Sequence, residues 1–404
     1  MAFDVLVLNA RLRQSLVTVR SLGQRGLRVA AAETSSNVPA FSSRWCERGF
    51  VVPADEGTDT YGAHLGEMLE QTGARVLIPS HDGTIALLRR HRAQLEQRVR
   101  LALAEERTLA VAVSKERTLA VAQGLGLQVP RSVVARTVDD VAVALEEVGL
   151  PAVVKPSESW SWHGLDGVGA WVGPQLVTTA DEACRAVAEV TQCGGVTLLQ
   201  QLLSGRREAV SLLYANGRMH ARFAQWAKRT MPPLGGASVL RQSIAIPPDI
   251  GNQAERLVRE LNLEGYSEVE FRRDSAGVPY LMEINPRLSA SVELAVRAGV
   301  DFPYLLYQWA NGGPIDEVRG YRVGGWMRHL GGDIGTTIAT LAQRGRPGIE
   351  QPTHAILGFA LSFLRPMGYD YVDWADPLPA INAASDFTRH AVRSILYRLR
   401  GRVA

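Results

Sequence analysis

Two short segments in the second half of the chain combine acidic side chains with apolar neighbours. They are Glu268–Phe271 and Met282–Asn285, and the residues between them are turn-forming. If the two segments pair as antiparallel strands, Glu270 and Glu283 can face the same side of the sheet. Asn285 shares the face of Glu283 because side chains alternate along a strand. Mg²⁺ prefers oxygen ligands of this kind, so the pattern predicts a metal site; an amphipathic hairpin with its charges in water is the alternative.

Two arginines near these strands are candidate catalytic residues because they could bind an anion. Arg287 lies two residues beyond Asn285, and Pro286 makes the connecting backbone rigid. A guanidinium there suits a carboxylate or the charge that develops during phosphoryl transfer. Arg241 follows a loop with two prolines and a Gly-Gly pair, and would be a second anion contact. The alternative for both is an exposed arginine on or after a strand.

A lysine in the first half of the chain is a candidate phosphate ligand. Lys155 ends an apolar strand and precedes a loop rich in Ser, Trp and Gly at 157–169. Such a lysine can bind phosphate while the loop closes over it as a lid. The loop has no Walker A sequence, and a surface hairpin would explain it equally well. Within the loop, Trp160, Trp162 and His163 are candidates for contacts that select the substrate.

The elements that must hold these residues in place begin with an α/β unit. Over roughly the first hundred residues, short apolar runs at 5–8, 27–32, 50–53 and 76–79 alternate with segments of helical periodicity. This alternation predicts a doubly wound parallel sheet, whose ligands bind outside the carboxyl ends of the strands. Asn9 and Ser80–Asp82 would lie at those ends. Further along the chain strands and helices alternate less regularly, which predicts an α+β unit.

Composition argues against several classes of function. The chain has 404 residues, 46% hydrophobic and 21% charged, as in soluble proteins of more than one domain. With 44 basic and 41 acidic residues its net charge is +3, so nucleic-acid binding is not indicated. The three cysteines lack metal-ligand spacing, and no apolar run is long enough for stable membrane insertion. Because its first residues lack a signal-peptide pattern, we expect the protein in the cytoplasm.

The order of the candidate residues resembles that of the ATP-grasp superfamily, in its carboxylate-amine ligase or carboligase group. The chain is similar in this respect to the synthetase domain of carbamoyl-phosphate synthase and to biotin carboxylase. The resemblance implies an ATP-grasp fold with α/β and α+β units and an N-terminal doubly wound parallel sheet. It implies a pre-ATP-grasp domain at 1–110 and an ATP-grasp domain at 111–320, with a lid subdomain at about 125–203. A C-terminal extension of unknown role would follow at 321–404.

The resemblance also assigns roles to individual positions. Lys115 and Lys155 correspond to phosphate-binding lysines and Glu208 to the acid that binds ribose. Arg287 corresponds to the arginine that stabilises the transferred phosphoryl group. The adenine-contacting hinge corresponds to Gln200, Gln201, Leu202 and Leu203, and the metal ligands to Glu270, Glu283 and Asn285. The chain departs from the pattern in its loop at 157–164, which lacks a glycine run, and in Gln200, where an acid is frequent.

The activity that the resemblance implies is the ATP-dependent joining of a small-molecule carboxylate to an amine. The carboxylate would attack the γ-phosphate of ATP in the presence of Mg²⁺ or Mn²⁺, and the amine would then displace phosphate from the acyl phosphate. ATP-grasp enzymes often dimerise, so a homodimer is an option. The alternatives are a carboxylase-like enzyme that phosphorylates bicarbonate and a nucleotide-binding protein without catalytic activity.

Overall fold

The computed structural model describes residues 2–56, 58–163 and 168–400, without the side chains of 161–168 and 390–400. The N-terminal strands are β1 (Val5–Val7), β2 (Val29–Glu33), β3 (Arg48–Val51), β4 (Val76–Ile78) and β5 (Arg100–Leu101). They form a parallel sheet in the order β3-β2-β1-β4-β5. Val5 and Val7 pack into one hydrophobic cluster and Leu6 into another, so both faces of the sheet are covered. The predicted doubly wound parallel sheet is confirmed.

The α-helices connect and cover the sheets. They are α1 (Arg13–Gln24), α2 (Asp59–Thr72), α3 (Asp82–Arg90), α4 (Arg92–Leu95), α5 (Glu106–Ala112), α6 (Lys115–Gly124), α7 (Val141–Val148), α8 (Ala180–Thr191), α9 (Pro248–Leu261), α10 (Val292–Ala298), α11 (Phe302–Ala310), α12 (Leu330–Ala342), α13 (Pro352–Leu361) and α14 (Leu378–Arg400). Short 3₁₀ helices lie at Pro39–Ser42, Val138–Asp140 and Ser362–Leu364.

A second, antiparallel sheet lies in the region predicted as the lid. The strands of this region are β6 (Ser132–Ala135), β7 (Ala152–Pro156), β8 (Trp160–His163), β9 (Val168–Trp171), β10 (Gln175–Val177) and β11 (Thr197–Gln201). The sheet has the order β10-β7-β11-β6, and β8 pairs with β9 as a separate hairpin. The predicted loop at 157–169 is therefore largely a hairpin. Its residues 164–167 and the side chains of Trp162 and His163 lie outside the described part of the chain.

The largest sheet carries the two acidic segments. Its strands are β12 (Arg207–Ala215), β13 (Arg218–Met231), β14 (Ala237–Ile244), β15 (Gly265–Arg273), β16 (Pro279–Asn285), β17 (Trp326–Arg328) and β18 (Gly368–Tyr369). The order is β16-β15-β12-β13-β14-β17-β18. Strands β15 and β16 pair antiparallel through the turn that follows Arg273, as the sequence predicts. Burial along β15 is nearly continuous because helices cover one face and the site lies on the other.

The segment from 321 onward contributes two short strands to the largest sheet. Strand β17 pairs antiparallel with β14, and β18 pairs parallel with β17, so this segment extends the largest sheet, which is called the central sheet below. Sequence periodicity missed these strands because they have three and two residues, too few to show a pattern. The predicted boundaries at 110 and 320 stay predictions. Within the described residues, no helix is both long and apolar enough to cross a bilayer.

Candidate functional site

The three larger sheets meet around a cavity of about 560 Å³. The end of β4, the strands β7 and β11, and the faces of β12, β15 and β16 all contribute to its wall. The predicted site residues that line it are Lys115, Lys155, Gln200, Gln201, Leu202, Leu203, Glu208, Glu270, Glu283, Asn285 and Arg287. Residues as far apart in sequence as Lys115 and Arg287 therefore converge on one space.

The three predicted metal ligands lie together on one face of the central sheet. Glu270 on β15 and Glu283 on β16 are directly opposite each other, and Asn285 Nδ2 donates a hydrogen bond to Glu270 Oε1 at 3.1 Å. Arg207 Nε donates to Glu270 Oε2 at 2.9 Å. Burial raises the pKa of Glu270 to about 7, and the neighbouring carboxylate of Glu283 adds to this effect against the attraction of Arg207. Glu270 and Glu283 thus place two carboxylate groups side by side where little water reaches them.

The two predicted phosphate lysines flank this pair. Lys115 begins α6, and its Nζ lies 3.8 Å from Glu283 Oε2 and donates to Ser159 Oγ at 2.9 Å. Lys155 Nζ, on β7, donates to Gln200 Oε1 at 2.6 Å. Burial lowers the pKa of Lys155 to about 8. Burial opposes ionisation of Glu283, but the charges of Lys115 and Lys155 hold its pKa below the ordinary value. The two lysines are therefore positioned to bind a further anionic group.

Arg287 connects the central sheet to the N-terminal sheet. Its Nε donates to Asp82 Oδ1 at 2.5 Å and its Nη2 to Asp82 Oδ2 at 3.1 Å. Burial opposes ionisation of Asp82, but the guanidinium of Arg287 outweighs it and lowers the pKa of Asp82 to about 2. Two hydrogen bonds to one carboxylate fix the plane of the guanidinium at the cavity wall.

The residues predicted at the carboxyl ends of the parallel strands do lie together. Asn9, with a φ of 59°, accepts from Ser80 N at 3.2 Å and from Thr84 Oγ1 at 2.6 Å. Asparagine tolerates this left-handed conformation better than most residues. Glu56 accepts from Asn9 Nδ2 at 3.1 Å and lies 3.0 Å from His81 Nδ1. These hydrogen bonds hold the backbone on both sides of Asp82 and so position Asp82 for its contact with Arg287.

Glu208, predicted as the ribose-binding acid, lines the cavity beside two arginines. Its Oε2 accepts from Arg273 Nε at 2.7 Å, and its Oε1 lies 2.9 Å from Arg206 Nε. The side chain is 3% exposed. Glu208 is thus held in position by basic neighbours at the start of β12.

Arg241, predicted as a second anion contact, is not among the residues that line the cavity. It is fully buried and its Nη2 lies 2.5 Å from Asp370 Oδ1. Asp370 Oδ2 also pairs with Arg13 Nη1 at 2.5 Å, where Arg13 begins α1. Arg13, Arg241 and Asp370 thus form a buried ion-pair network, called the clamp below, that joins α1, β14 and the segment after β18.

Several cavity residues were missed by the sequence reasoning. Glu268 precedes Glu270 by two residues and so shares its face, a signal that period-2 alternation provides. No local pattern indicates Arg207 or Gln225, because they lie on β12 and β13. The pairing of these strands with β15 and with each other brings the two side chains to the site. Arg272 contacts the carbonyl of Leu203 at 3.0 Å and supports the predicted hinge.

Comparisons with known proteins find one similar sequence family and several similar folds. A family model described as "ATP-grasp in the biosynthetic pathway with Ter operon" matches residues 195–325. The biotin carboxylase domain of 2-oxoglutarate carboxylase from Hydrogenobacter thermophilus is 15% identical, with a TM-score of 0.63 over 81% of this chain and 74% of that chain. An L-amino acid ligase from Bacillus licheniformis is 20% identical, with a TM-score of 0.59 over 78% and 76%. N5-carboxyaminoimidazole synthetase from Staphylococcus aureus is 14% identical, with a TM-score of 0.62 over 81% and 82%.

These matches define the fold of the protein. The chain has the ATP-grasp fold, and its residues 195–325 match an ATP-grasp family model. The solved structures with a similar fold include a biotin carboxylase domain and an L-amino acid ligase.

Proposed function

We propose that the chain is an ATP-dependent ligase that activates a substrate carboxylate as an acyl phosphate and couples it to an amine. The observation that carries the proposal is the convergence of Lys115, Lys155, Glu270, Glu283 and Asn285 on one cavity. Two partly buried cations beside a cluster of oxygen ligands match the needs of a metal-bound nucleoside triphosphate. Two of the similar structures were obtained with ADP or its magnesium salt.

The donor atoms in the cavity fit Mg²⁺ or Mn²⁺. Glu270 and Glu283 provide carboxylate oxygens, and Asn285 keeps its Oδ1 available because Nδ2 makes the contact to Glu270. No group of three or more His, Cys, Asp or Glu side chains suited to a metal occurs in the described residues. A hard cation that shares its ligands with phosphate oxygens needs fewer protein ligands than a closed metal site does. When bound there, the ion would neutralise phosphate charge.

The nucleotide would lie along β11 and β12. Leu202 and Leu203 offer apolar surface for a base, and the backbone of Gln201–Leu203 offers hydrogen bonds to its edge. Glu208 would accept hydrogen bonds from ribose hydroxyls, and Lys115 and Lys155 would contact the phosphates. Gln200 replaces the acid that is frequent at this position, and as a neutral partner it holds Lys155 without cancelling its charge.

The chemistry follows from the charges in the cavity. A carboxylate oxygen attacks the γ-phosphorus while the bond to the β-γ bridging oxygen breaks, and ADP leaves. The two lysines and Arg287 stabilise the charge that spreads over the transferred group. The amine nitrogen then attacks the carbonyl carbon of the acyl phosphate, loses a proton, and phosphate departs. Phosphate is a far better leaving group than hydroxide, which explains the need for ATP.

Phosphate release from ATP tests the proposal when measured with carboxylates, amines and their combinations. We expect release that needs a carboxylate, and hydroxamate formation when hydroxylamine replaces the amine. Release that depends on bicarbonate alone would favour a carboxylase-like reaction, and ATP-induced thermal stabilisation without turnover would favour a binding protein. Either result would contradict the ligase proposal.

A substitution links that activity to the site. Glu283→Gln should abolish turnover because it removes a metal ligand and the partner of Lys115. Glu255→Gln is a matched control, since Glu255 pairs with Arg222 and does not line the cavity. Wild-type turnover in Glu283→Gln would refute the assignment of the site.

We also propose that the chain forms a homodimer. A dimer is named for the similar biotin carboxylase domain of Hydrogenobacter thermophilus. In this chain the apolar helix α13 exposes Ile356, Leu357 and Leu361, each more than half exposed. An apolar helix that is exposed on most sides suits a protein interface. Light scattering after size exclusion should give twice the mass of one 44.0 kDa chain.

A further inference from the structure

A buried carboxylate in the cavity forms no ion pair with any described residue. Glu268, on β15, is 4% exposed and lines the cavity. Within the described chain, no lysine, arginine or histidine nitrogen lies within the 4.0 Å that defines an ion pair with it. An unpaired charge in such a place is costly, because burial removes the water that would stabilise it. A ligand that carries a positive charge would remove this cost.

Neutral groups surround one oxygen of this carboxylate and leave the other free. Glu268 Oε2 accepts hydrogen bonds from Gln225 Nε2 at 2.9 Å and from Ser211 Oγ at 3.3 Å. Gln225 Nε2 also donates to Ser291 Oγ at 2.5 Å, and Ser291 lies 2.9 Å from Ser289. Glu268 Oε1 accepts no hydrogen bond from the described residues. The side chain is therefore oriented by amide and hydroxyl groups while one oxygen stays available.

A second acceptor beside it also lacks a partner. Gln225 is 5% exposed and lines the cavity, and its Oε1 is buried without a hydrogen bond in the described residues. The orientation of this amide is fixed by the donation of Nε2 to Glu268 and Ser291. Two neighbouring acceptors without donors, one of them on a charged group, can accept two of the three N–H donors of an ammonium group.

The other carboxylates nearby are already neutralised. Asp82 pairs with Arg287, Glu270 with Arg207, and Glu283 lies beside Lys115. Glu268 differs from these three carboxylates because Arg207 and Arg287 act on it only from beyond ion-pair distance. It lies two residues from Glu270, a distance of about 7 Å along a strand. One small substrate can therefore contact Glu268 while its other end reaches the phosphate and metal region.

We propose that Glu268 and Gln225 bind the ammonium group of an amino-acid substrate whose carboxylate is the one activated by ATP. This inference rests on the proposed ligase function and adds the substrate class of its first step. A buried carboxylate favours the protonated form of the amine. The bound amine is therefore not the nucleophile of the second step, which a separate amine must supply. The site selects an acyl donor with an amino group over the same acid without one.

Binding measurements test the subsite without requiring turnover. The probes are the standard L-amino acids and their desamino counterparts, such as phenylalanine and 3-phenylpropionate, added with Mg²⁺ and a non-hydrolysable ATP analogue. Saturation-transfer NMR reports binding, and hydroxamate formation with ATP reports activation. We expect at least one amino acid to bind about tenfold or more tightly than its desamino counterpart.

Three variants assign the preference to the subsite. Glu268→Gln should reduce amino-acid affinity about tenfold to a hundredfold and remove the preference, with the affinity for the ATP analogue unchanged. Glu268→Asp keeps the charge and should retain part of the preference. Gln225→Met should weaken amino-acid binding severalfold and provides the test if Glu268→Gln does not fold. Glu255→Gln, outside the cavity, should behave as wild type.

The outcomes separate this proposal from the ligase proposal. Equal binding of amino acids and desamino acids, absence of amino-acid binding, or a preference that persists in Glu268→Gln would each overturn the ammonium site. Amino-acid binding that depends on Glu268, without hydroxamate from any acid, would support the ammonium site and contradict the ligase function.

Discussion

Replacing Asp370 with asparagine removes the negative charge that two buried guanidinium groups share. Arg13 and Arg241 each approach a carboxylate oxygen at 2.5 Å, and the side chains of Arg13, Arg241 and Asp370 are 9%, 0% and 1% exposed. Burial opposes ionisation of Asp370, but the two arginines hold its pKa far below the ordinary range. The Asp370→Asn protein therefore has two buried cations without their shared counter-charge.

The expected loss of stability is large for one substitution. Removal of one partner from a buried ion pair costs about 3–5 kcal/mol, and here two arginines lose the same partner. At roughly 2 cal/mol/K per residue, cooperative unfolding of 404 residues has an entropy of about 0.8 kcal/mol/K. We therefore expect the Tm to fall by about 5 °C.

Scanning calorimetry and urea denaturation at neutral pH measure this effect. Asp316→Asn is the control, because Asp316 is exposed and its carboxylate accepts no hydrogen bond from the described residues; its free energy of unfolding should change by less than about 0.5 kcal/mol. If Asp370→Asn unfolds at the temperature of the wild type, the clamp does not stabilise the fold and the reasoning is refuted.

Three further predictions concern the cavity. Lys155→Met should weaken binding of the Mg²⁺-ATP complex about tenfold to a hundredfold, because a charged hydrogen bond to phosphate is lost; unchanged affinity in a calorimetric titration would exclude Lys155 from the phosphate site. Chelation of divalent metal should remove phosphate release and Mg²⁺ or Mn²⁺ should restore it, whereas activity that persists in excess EDTA would contradict a metal at Glu270 and Glu283. The pKa of Asp82 falls from 3.8 to about 2 in the folded protein, so its stabilising effect is complete above pH 3.8 and is lost as the pH falls towards 2. Asp82→Asn should lower the free energy of unfolding by roughly 2 kcal/mol at neutral pH, and this difference from wild type should shrink as the pH falls from 3.8 towards 2. A difference in the free energy of unfolding that does not vary with pH would show that ionisation of Asp82 does not stabilise the protein.

The sequence alone predicted those parts of the site that depend on local periodicity. Glu283 and Asn285 share a face because a strand alternates with period 2, and the turn before β16 brings Glu270 opposite Glu283. The N-terminal parallel sheet was likewise predictable, since continuous apolar runs between helical segments indicate buried parallel strands. The resemblance to ATP-grasp enzymes predicts Lys115 and Lys155 as phosphate ligands, and both line the same cavity as Glu270 and Glu283.

Tertiary structure decided which charges are free and which are neutralised. Arg241 had the sequence environment of an anion contact, but Asp370, 129 residues away, occupies its guanidinium. The sequence gives no sign of a separate role for Glu268. Its carboxylate is oriented by hydrogen bonds from Gln225 and Ser291, which lie 43 and 23 residues away in the chain. Pairing of this kind depends on sheet register and domain packing, because these bring together side chains that no local pattern relates. The residue types thus determined the chemistry that the chain can perform, and the fold determined which side chains remain available to perform it.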